Sequence, residues 1–430
     1  MTTPSTALPA EPAWRGGRRR AFAATWLAYA AFYLCRKNLS VAKGGLMADL
    51  GLDKLDLGAI DFAYLACYAV GQLVSGLLGD RIGGRRLITG GLLATAALNA
   101  AFAAGSSHVH LVAVFALNGF AQSAGWPGCA KALGAWFARR ERGTAMALWC
   151  TCYQVGPVVA TLLATFLLQH HGWRAAFAVP ALIVGSWAVL FSRLQPAPPE
   201  TLGIGDVEEH YARLHGDEPP SAAPMPTAGP EVSPLAFVLT SRPIWTLALT
   251  YVALKFIRYS FLFWLPLYLS EHLGYGSAEA GYTSTIFDIA GFAGVLFAGF
   301  ASDRIFAGRR APIVVIMMLG LAASTTAYAS LSADGRLTNA VLIALIGFLV
   351  YGPDSVTSGV SAIDFGSKRA AAMAAGFING LGSIGGAASP LVIGWVSERH
   401  GWEGVMGLFG PCALAGALLM TTMWNRVPDR

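Results

Sequence analysis

YLCRKN, at residues 33–38, places two adjacent cations, Arg36 and Lys37, inside the first long apolar run of the chain. A cation at the middle of a bilayer costs about 2.5–3.5 kcal/mol on insertion scales, so a buried carboxylate or an anionic ligand must offset it. A second arginine in the same situation is Arg258, within the apolar residues 251–264. We therefore expect Arg36 and Arg258 to face each other across a pore and to hold an anion between them.

The composition is that of a membrane protein that crosses the bilayer many times. The 430 residues are 55% hydrophobic and 13% charged, with a mean hydropathy of +0.54, whereas a soluble chain carries about a quarter charged residues. The formal charge of +6 does not indicate a nucleic-acid partner, because the arginines are scattered between apolar runs. The six cysteines form no CxxC pair, so we expect packing residues and neither disulfides nor a metal site.

The chain contains twelve apolar segments of about 20 residues, the length that spans a bilayer. We place them near residues 21–43, 57–79, 87–106, 109–133, 143–168, 174–193, 243–269, 280–301, 311–331, 338–360, 370–396 and 403–424. The predicted fold is an all-α membrane protein with 12 transmembrane helices in two pseudo-symmetric six-helix bundles. Its expected parts are a tail (1–20), an N-terminal bundle (21–194), a proline-rich solvated linker (195–241) and a C-terminal bundle (242–425).

The distribution of cations between short loops predicts the orientation. With the N-terminus in the cytoplasm, the clusters at 15–20, 81–86, 139–142, 304–310, 368–369 and 426 all fall inside. The outer loops receive only Lys54, Arg174, Arg336 and Arg399. We therefore expect both termini and the linker to be cytoplasmic, in the inner membrane of a bacterium.

The two halves repeat in sequence. GLLGDRIGGRR at 76–86 recurs as GFASDRIFAGRR at 299–310, and HGW at 171–173 recurs at 400–402. Arg36 and Arg258 are 222 positions apart (258 − 36), close to the 223 between Asp80 and Asp303 (303 − 80). A parallel repeat implies a pseudo-two-fold axis along the membrane normal, with the two arginines at equivalent depths.

The repeated loop motif predicts a gate. Its members are Asp80 and Arg81 in the first copy and Asp303 and Arg304 in the second. The carboxylates are expected to pair with arginines across the interface between the halves and to hold the cytoplasmic side shut, until substrate shifts the balance between two states. The alternative is an ordinary cationic cytoplasmic loop, which two matched copies disfavour.

The doubled motif resembles the major facilitator superfamily. YLCRKN at 33–38, KFIRYSFLFWLPLYL at 255–269, GWP at 125–127 with ERG at 141–143, and YGP at 351–353 resemble the organophosphate:phosphate antiporters, a family of glycerol-3-phosphate and hexose-phosphate transporters and sugar-phosphate exchangers. The resemblance covers the chain apart from its first 14 residues and the linker. It implies that Arg36 and Arg258 bind the substrate phosphate, and that Lys37 pairs with Asp288 across the halves.

Three positions depart from the glycerol-phosphate members of that family. Gln72 replaces a lysine, Tyr153 replaces a histidine, and Lys255 replaces a tyrosine. We interpret this as positive charge moved from the second helix to the seventh. By motif position, Tyr153, Tyr351, Gln72 and Lys255 are predicted to line the substrate site with the two arginines. Arginine suits phosphate because its planar fork donates to two oxygens.

Two further carboxylates, Asp61 and Asp354, have no partner evident in the sequence. Each is interpreted as a proton site, an acceptor for a sugar hydroxyl or a solvated residue at the pore mouth. For Asp61, near the outer end of the second helix, we favour the last. His170 and His171 are expected to be solvated.

The sequence thus favours a monomeric secondary transporter that exchanges a phosphate ester for inorganic phosphate by alternating access. We find no motif of an enzyme and expect no cofactor. Two alternatives stay open: a proton-coupled carrier of another organic anion, and a membrane sensor that binds a sugar phosphate without transporting it.

Overall fold

The structure, a computed structural model, describes residues 11–138, 141, 145–146, 148–203, 207–215, 234–306, 309–360 and 371–426. Some of the cations from which the orientation was predicted lie outside these ranges, among them Arg139, Arg140, Arg142, Lys368 and Arg369. The side chains of Asp80 and Asp303 also lie outside the described part.

The first predicted span is two helices and not one. Helix α1 covers Glu11–Leu34 and α2 covers Asn38–Leu50, with a turn at residues 35–37. The turn frees the carbonyl of Cys35, which accepts from three side-chain amides, Asn99 Nδ2 at 3.2 Å, Asn118 Nδ2 at 3.0 Å and Gln122 Nε2 at 2.9 Å. The Asn38 side chain accepts from the amide of Leu39 at 3.0 Å. Side chains thus replace the backbone bonds that the break removes, as an apolar surrounding requires.

The remaining helices follow in chain order. They are α3 (Lys54–Ile82), α4 (Gly84–Ala103), α5 (His108–Gln122), α6 (Gly125–Gly134), α7 (Cys152–Leu194), α8 (Val207–His215), α9 (Pro234–Thr240), α10 (Arg242–Glu271), α11 (Ser277–Phe300), α12 (Ala311–Leu331), α13 (Arg336–Ser355) and α14 (Ala371–Thr421). Short π-helical segments follow α11, at Ala301–Ile305, and α13, at Val356–Val360.

Two of these helices cross the membrane twice. Helix α7 changes direction at Gly172 (φ 79°) and α14 at Gly401 (φ 67°), each the glycine of an HGW motif. A residue with a side chain rarely adopts such a φ. Within the described residues, eight helices are long and apolar enough to span a bilayer, and α7 and α14 are two of them. With the interrupted pairs α1–α2 and α5–α6, the described part of the chain contains twelve spans, and the predicted fold class is confirmed.

The halves also repeat in their side-chain contacts. Trp173 Nε1 donates to Asp49 Oδ2 at 2.9 Å, and Trp402 Nε1 donates to Glu271 Oε2 at 3.0 Å. Glu271 follows Asp49 by 222 positions (271 − 49), the same offset as between the two arginines. Each HGW tryptophan therefore ties the end of the first helix of its half to the turn at which the fifth and sixth spans meet.

At this end of the molecule, called the Lys54 end below, the two halves are in contact. Lys54 Nζ lies 3.0 Å from Glu271 Oε2, and the Lys54 amide donates to Glu398 Oε1 at 3.1 Å. Lys54 begins α3, whereas Glu271 and Glu398 belong to the C-terminal half. These contacts close the space between the halves at the Lys54 end.

The linker is not solvated throughout. Helix α8 packs against the first half, with Val207 and His210 buried and the His210 ring 4.2 Å from that of Trp14. The expectation of a solvated linker is wrong for α8, because its buried residues pack in the same apolar cluster as Trp14, near the start of α1. Helices α7 and α10 are bounded by Leu194 and Arg242, and the division into domains at these points stays a prediction.

Candidate functional site

Arg36 stands in the turn between α1 and α2, among aromatic rings. Its guanidinium carbon lies 4.9 Å from the ring centre of Tyr33, 5.0 Å from Tyr68 and 5.8 Å from Tyr64. Its Nε donates to Gln122 Oε1 at 3.0 Å. Of the carboxylates whose side chains the structure describes, none forms an ion pair with Arg36. The charge is thus held by rings and an amide, which leaves it available to an anion.

Gln122 fixes the position of this arginine. Its Nε2 donates to the Cys35 carbonyl at 2.9 Å, so its Oε1 is turned towards Arg36 and also accepts from the Tyr64 hydroxyl at 2.9 Å. We did not anticipate this network from the sequence. The available signal was the set of amide side chains inside apolar helices, namely Asn38, Asn99, Asn118 and Gln122.

Arg258, on α10, has a carboxylate partner. Its Nη1 lies 2.7 Å from Asp354 Oδ2 of α13, and its guanidinium carbon lies 4.3 Å from the ring centre of Tyr351. The side chains of Arg258 and Asp354 are 18% and 10% exposed. The Nε of Arg258 is buried without a hydrogen-bond partner in the described structure, so this donor is unused.

Both arginines act on the same space between the halves. Tyr33 of the first half interacts electrostatically with Arg36 and with Arg258. Tyr64 interacts with Arg36 and with Tyr259 of the second half. Lys255 of the second half interacts with Arg258 and with Tyr68 of the first. The side chains that surround the two arginines are therefore near enough to influence each other across the interface between the halves.

Lys37 and Asp288 come together at this interface. Lys37 Nζ lies 3.5 Å from Asp288 Oδ2 and donates to the Leu262 carbonyl at 2.9 Å. The Tyr351 hydroxyl donates to Asp288 Oδ1 at 2.6 Å. The one donor of Tyr351, for which the sequence predicted a substrate contact, is therefore used by Asp288, and its ring lies beside Arg258.

The other predicted site residues differ in their surroundings. Lys255 is buried, with Nζ 3.0 Å from Ser383 Oγ and 3.4 Å from the Asn379 carbonyl. Tyr153 packs its ring 4.9 Å from that of Tyr29, inside an aromatic cluster. Gln72 is partly exposed on α3, one turn beyond Tyr68.

The structure overturns the interpretation of Asp61. It is 0% exposed and lies 2.7 Å from Lys43 Nζ, which is also 0% exposed. Asp61 lies two turns inside α3, whose first residue is Lys54, so the favoured placement at a solvated mouth was wrong. Lys43, which the sequence analysis did not single out, neutralises it, and its ammonium lies 3.4 Å from the ring centre of Trp264.

The predicted cytoplasmic gate stays a prediction. Arg81 and Arg304 are exposed, at the ends of α3 and of the π segment after α11. Because the side chains of Asp80 and Asp303 lie outside the described part, their pairing is not visible here.

Comparisons with known proteins agree with this architecture. A family model described as the Major Facilitator Superfamily matches residues 25–390 and 269–430. A probable hexose phosphate transport protein of Chlamydia pneumoniae is 32% identical over 95% of this chain and 91% of its own. The glycerol-3-phosphate transporter of Bacillus subtilis (strain 168) is 31% identical over 96% and 94%. The membrane sensor protein UhpC of Escherichia coli (strain K12) is 31% identical over 97% and 94%.

Solved structures share the fold at low sequence identity. A bacterial homologue of the human lysosomal transporter Spinster, inward-facing and unoccupied, superposes with a TM-score of 0.71 at 15% identity over 96% of both chains. A D-xylose–proton symporter gives a TM-score of 0.72 at 15% identity over 96% of this chain and 98% of its own. With a matching family model, relatives above 30% identity over nearly the whole chain and this architecture, the chain belongs to the major facilitator superfamily.

Proposed function

We propose that the protein exchanges an organic phosphate ester for inorganic phosphate by alternating access, with Arg36 and Arg258 as the phosphate ligands. The observation that carries the proposal is Arg36, a partly exposed guanidinium at membrane depth with no carboxylate partner among the described residues. A cation in that position calls for an anionic ligand. The names of the relatives, hexose phosphate and glycerol-3-phosphate transporters, supply the class of that ligand.

The charges around the site support a doubly charged ligand. Lys37, Lys43 and Arg258 each have a carboxylate oxygen within 3.5 Å. In the described part of the chain, Arg36 and Lys255 have no such ion pair, although Lys255 is buried. Two uncompensated cations suit a phosphate monoester, which carries a charge of about −1.5 to −2 near pH 7.

The exchange mechanism follows from where the two arginines are anchored. A phosphate that binds both guanidinium groups joins the halves, because Arg36 belongs to the first half and Arg258 to the second. Without a ligand, the two cations that have no ion pair among the described residues, Arg36 of the first half and Lys255 of the second, repel each other across a poorly solvated space. Binding at either side of the membrane then lowers the free energy of the state in which the halves close around the ligand. The empty protein therefore rarely changes between its two states, so each phosphate carried one way must be followed by a phosphate or ester carried back.

We place the protein in the cytoplasmic membrane of a bacterium, with both termini inside and the Lys54 end facing out. This follows from the excess of lysine and arginine at the opposite end. In that orientation the structure is closed towards the outside. Both halves of the site come from one chain, so we propose that the monomer is functional.

Counterflow in proteoliposomes tests the proposal. Vesicles are loaded with inorganic phosphate and offered labelled glycerol phosphate or hexose phosphate, with and without a pH gradient. We expect uptake that depends on internal phosphate and is unaffected by the gradient.

Two other outcomes point to the alternatives. Uptake that disappears when the gradient is dissipated indicates a proton-coupled carrier. Binding of the ester without flux indicates a sensor, a class to which one 31% identical relative belongs by its name.

A further inference from the structure

A buried ion pair of the first half is covered by an aromatic ring of the second. Lys43 Nζ, on α2, lies 2.7 Å from Asp61 Oδ2, on α3, and both side chains are 0% exposed. The ring of Trp264, on α10, lies over the ammonium with its centre 3.4 Å away. Trp264 itself is 2% exposed. The first half therefore supplies two charges, and the second half supplies the surface that keeps water from them.

This group lies between the proposed phosphate site and the closed end of the molecule. On α3, Asp61 is one helical turn nearer to Lys54 than Tyr64 is. The Tyr64 hydroxyl donates to Gln122, and the Tyr64 ring lies 5.8 Å from the guanidinium of Arg36. Trp264 is also in contact with Trp402, whose ring centre is 6.2 Å away and whose indole nitrogen donates to Glu271 at the Lys54 end. The group therefore occupies the contact between the two halves at this depth.

The energetics of the group depend on how the halves are placed. Replacing a buried ion pair by apolar residues of similar volume often leaves the stability of a protein unchanged. The stability of the closed state alone therefore does not explain why Lys43 and Asp61 are charged. A cation on an aromatic face is stabilised, and more strongly when it is desolvated. That contribution requires Trp264 and Lys43 to be in contact, which is so only while the two halves meet at the Lys54 end.

We propose that Lys43, Asp61 and Trp264 form the gate of the transport pathway at the Lys54 end. The gate is closed when the Trp264 ring covers the ion pair, as in this structure. It is open when the halves separate there, the ring withdraws and water solvates Lys43 and Asp61. The inference requires alternating access by a major facilitator protein, and it does not depend on which substrate is carried.

Distances between spin labels test the role of Trp264. The labels are attached to cysteines that replace His171 and His400, which are exposed and equivalent in the two HGW motifs. The partly exposed Cys67, Cys150 and Cys412 are first replaced by alanine. A long distance between the labels reports the open gate, and a short distance the closed gate. Trp264→Leu should raise the ratio of the long-distance to the short-distance population by about tenfold or more, and Trp264→Phe by less. Trp187→Leu, a partly buried tryptophan within the first half, is the control and should leave the ratio unchanged.

A double-mutant cycle tests the ion pair. Lys43→Met and Asp61→Leu each leave one charge buried without its partner in the closed state, so each should raise the long-distance population at least about tenfold. The double variant should lie nearer to the unmodified protein than either single variant, because it has no lone charge. Single variants that lower the melting temperature but do not change the distance distribution would show a purely structural pair and overturn the proposal.

The unmodified residues provide a test that does not depend on the folding of a gate variant. Lys43 should react with a membrane-impermeant amine reagent, detected by mass spectrometry, in proportion to the long-distance population. Lys54, whose side chain is 16% exposed in the closed state, serves as the reference amine. If Lys43 stays unreactive while the labels report opening, the gate lies elsewhere. None of these measurements uses a substrate, so their outcome is separate from that of the counterflow experiment.

Discussion

Arg258 and Asp354 form an ion pair of 2.7 Å, whereas the equivalent arginine of the other half, Arg36, donates to the neutral amide of Gln122 at 3.0 Å. The two arginines occupy matching positions of the sequence repeat but differ in their partners. A phosphate that arrives at Arg36 meets an uncompensated charge. A phosphate that arrives at Arg258 either shares the guanidinium with Asp354 or displaces it.

Asp354→Asn should make the protein less stable without phosphate and more responsive to it. The substitution leaves Arg258 as a buried cation without its carboxylate, at a cost of about 3–5 kcal/mol. A bound phosphate restores the missing negative charge, and binding to the native state raises stability. In thermal denaturation, we expect a lower melting temperature in phosphate-free buffer and a larger increase on adding phosphate than in the unmodified protein. An increase that is smaller, or lost, would mean that Asp354 helps to bind the ligand.

Arg36→Lys and Arg258→Lys should each reduce phosphate exchange. Lysine keeps the charge but not the planar fork that donates to two oxygens. The loss of one hydrogen bond to a charged group, about 1.5–3 kcal/mol, corresponds to a reduction of about ten- to a hundredfold. The measurement is exchange of labelled phosphate in proteoliposomes. Near-normal exchange in either variant would remove that arginine from the site.

Exchanging the charges of Lys37 and Asp288 tests their role at the interface. Asp288→Asn strands the buried ammonium of Lys37, whose side chain is 4% exposed, so we expect poor expression or slow exchange. The double variant Lys37→Asp with Asp288→Lys should recover part of the lost exchange. Because Tyr351 also donates to Asp288, the recovery should be incomplete. No recovery at all would argue that Lys37 has a role beyond this pair.

The sequence was informative where a charge had to be placed in an apolar segment. Arg36, Lys37 and Arg258 could be singled out because each is costly unless it has a partner, and the repeat related the two arginines to each other. Asp288 was named as the partner of Lys37 only through the resemblance to the antiporter family. Neutral polar groups give no comparable signal. The break at residues 35–37 and the role of Gln122 therefore remained unpredicted, since an amide in an apolar helix does not reveal which carbonyl or cation it contacts.

Pairs between adjacent helices of one half were equally hard to foresee. Lys43 and Asp61 are 18 positions apart in the chain (61 − 43) and meet only because α2 and α3 are adjacent. Asp61 was assigned to the mouth from its distance to the helix end, a measure that ignores which face of the helix it occupies. Whether a carboxylate is solvated depends on the residue that faces it, here Lys43, as well as on its depth in the membrane.

Gln122→Glu should convert the first half to the arrangement of the second. A carboxylate at this position would pair with Arg36, as Asp354 pairs with Arg258, and a phosphate would have to compete with it. We expect the apparent affinity for phosphate to fall by about tenfold or more, the scale of one interaction with a charged group. Gln122→Met, which removes the same donor to Cys35 but adds no charge, is the matched control and should reduce affinity less. Equal effects of the two variants would mean that Gln122 acts by supporting the break, and not through the charge of Arg36.

Lys54→Ala should open the Lys54 end, but by less than Trp264→Leu does. The ion pair of Lys54 with Glu271 is partly exposed, with side chains at 16% and 28%, and pairs of this kind contribute about 0.2–1 kcal/mol. That corresponds to a change of about 1.4- to fivefold in the ratio of long to short distances between labels at His171→Cys and His400→Cys. The contribution should shrink as salt is added, because solvated charges are screened, whereas the buried contact of Lys43 with Trp264 should hardly respond. A shift for Lys54→Ala that equals that of Trp264→Leu and persists in high salt would place the main gate at the rim and not at the buried pair.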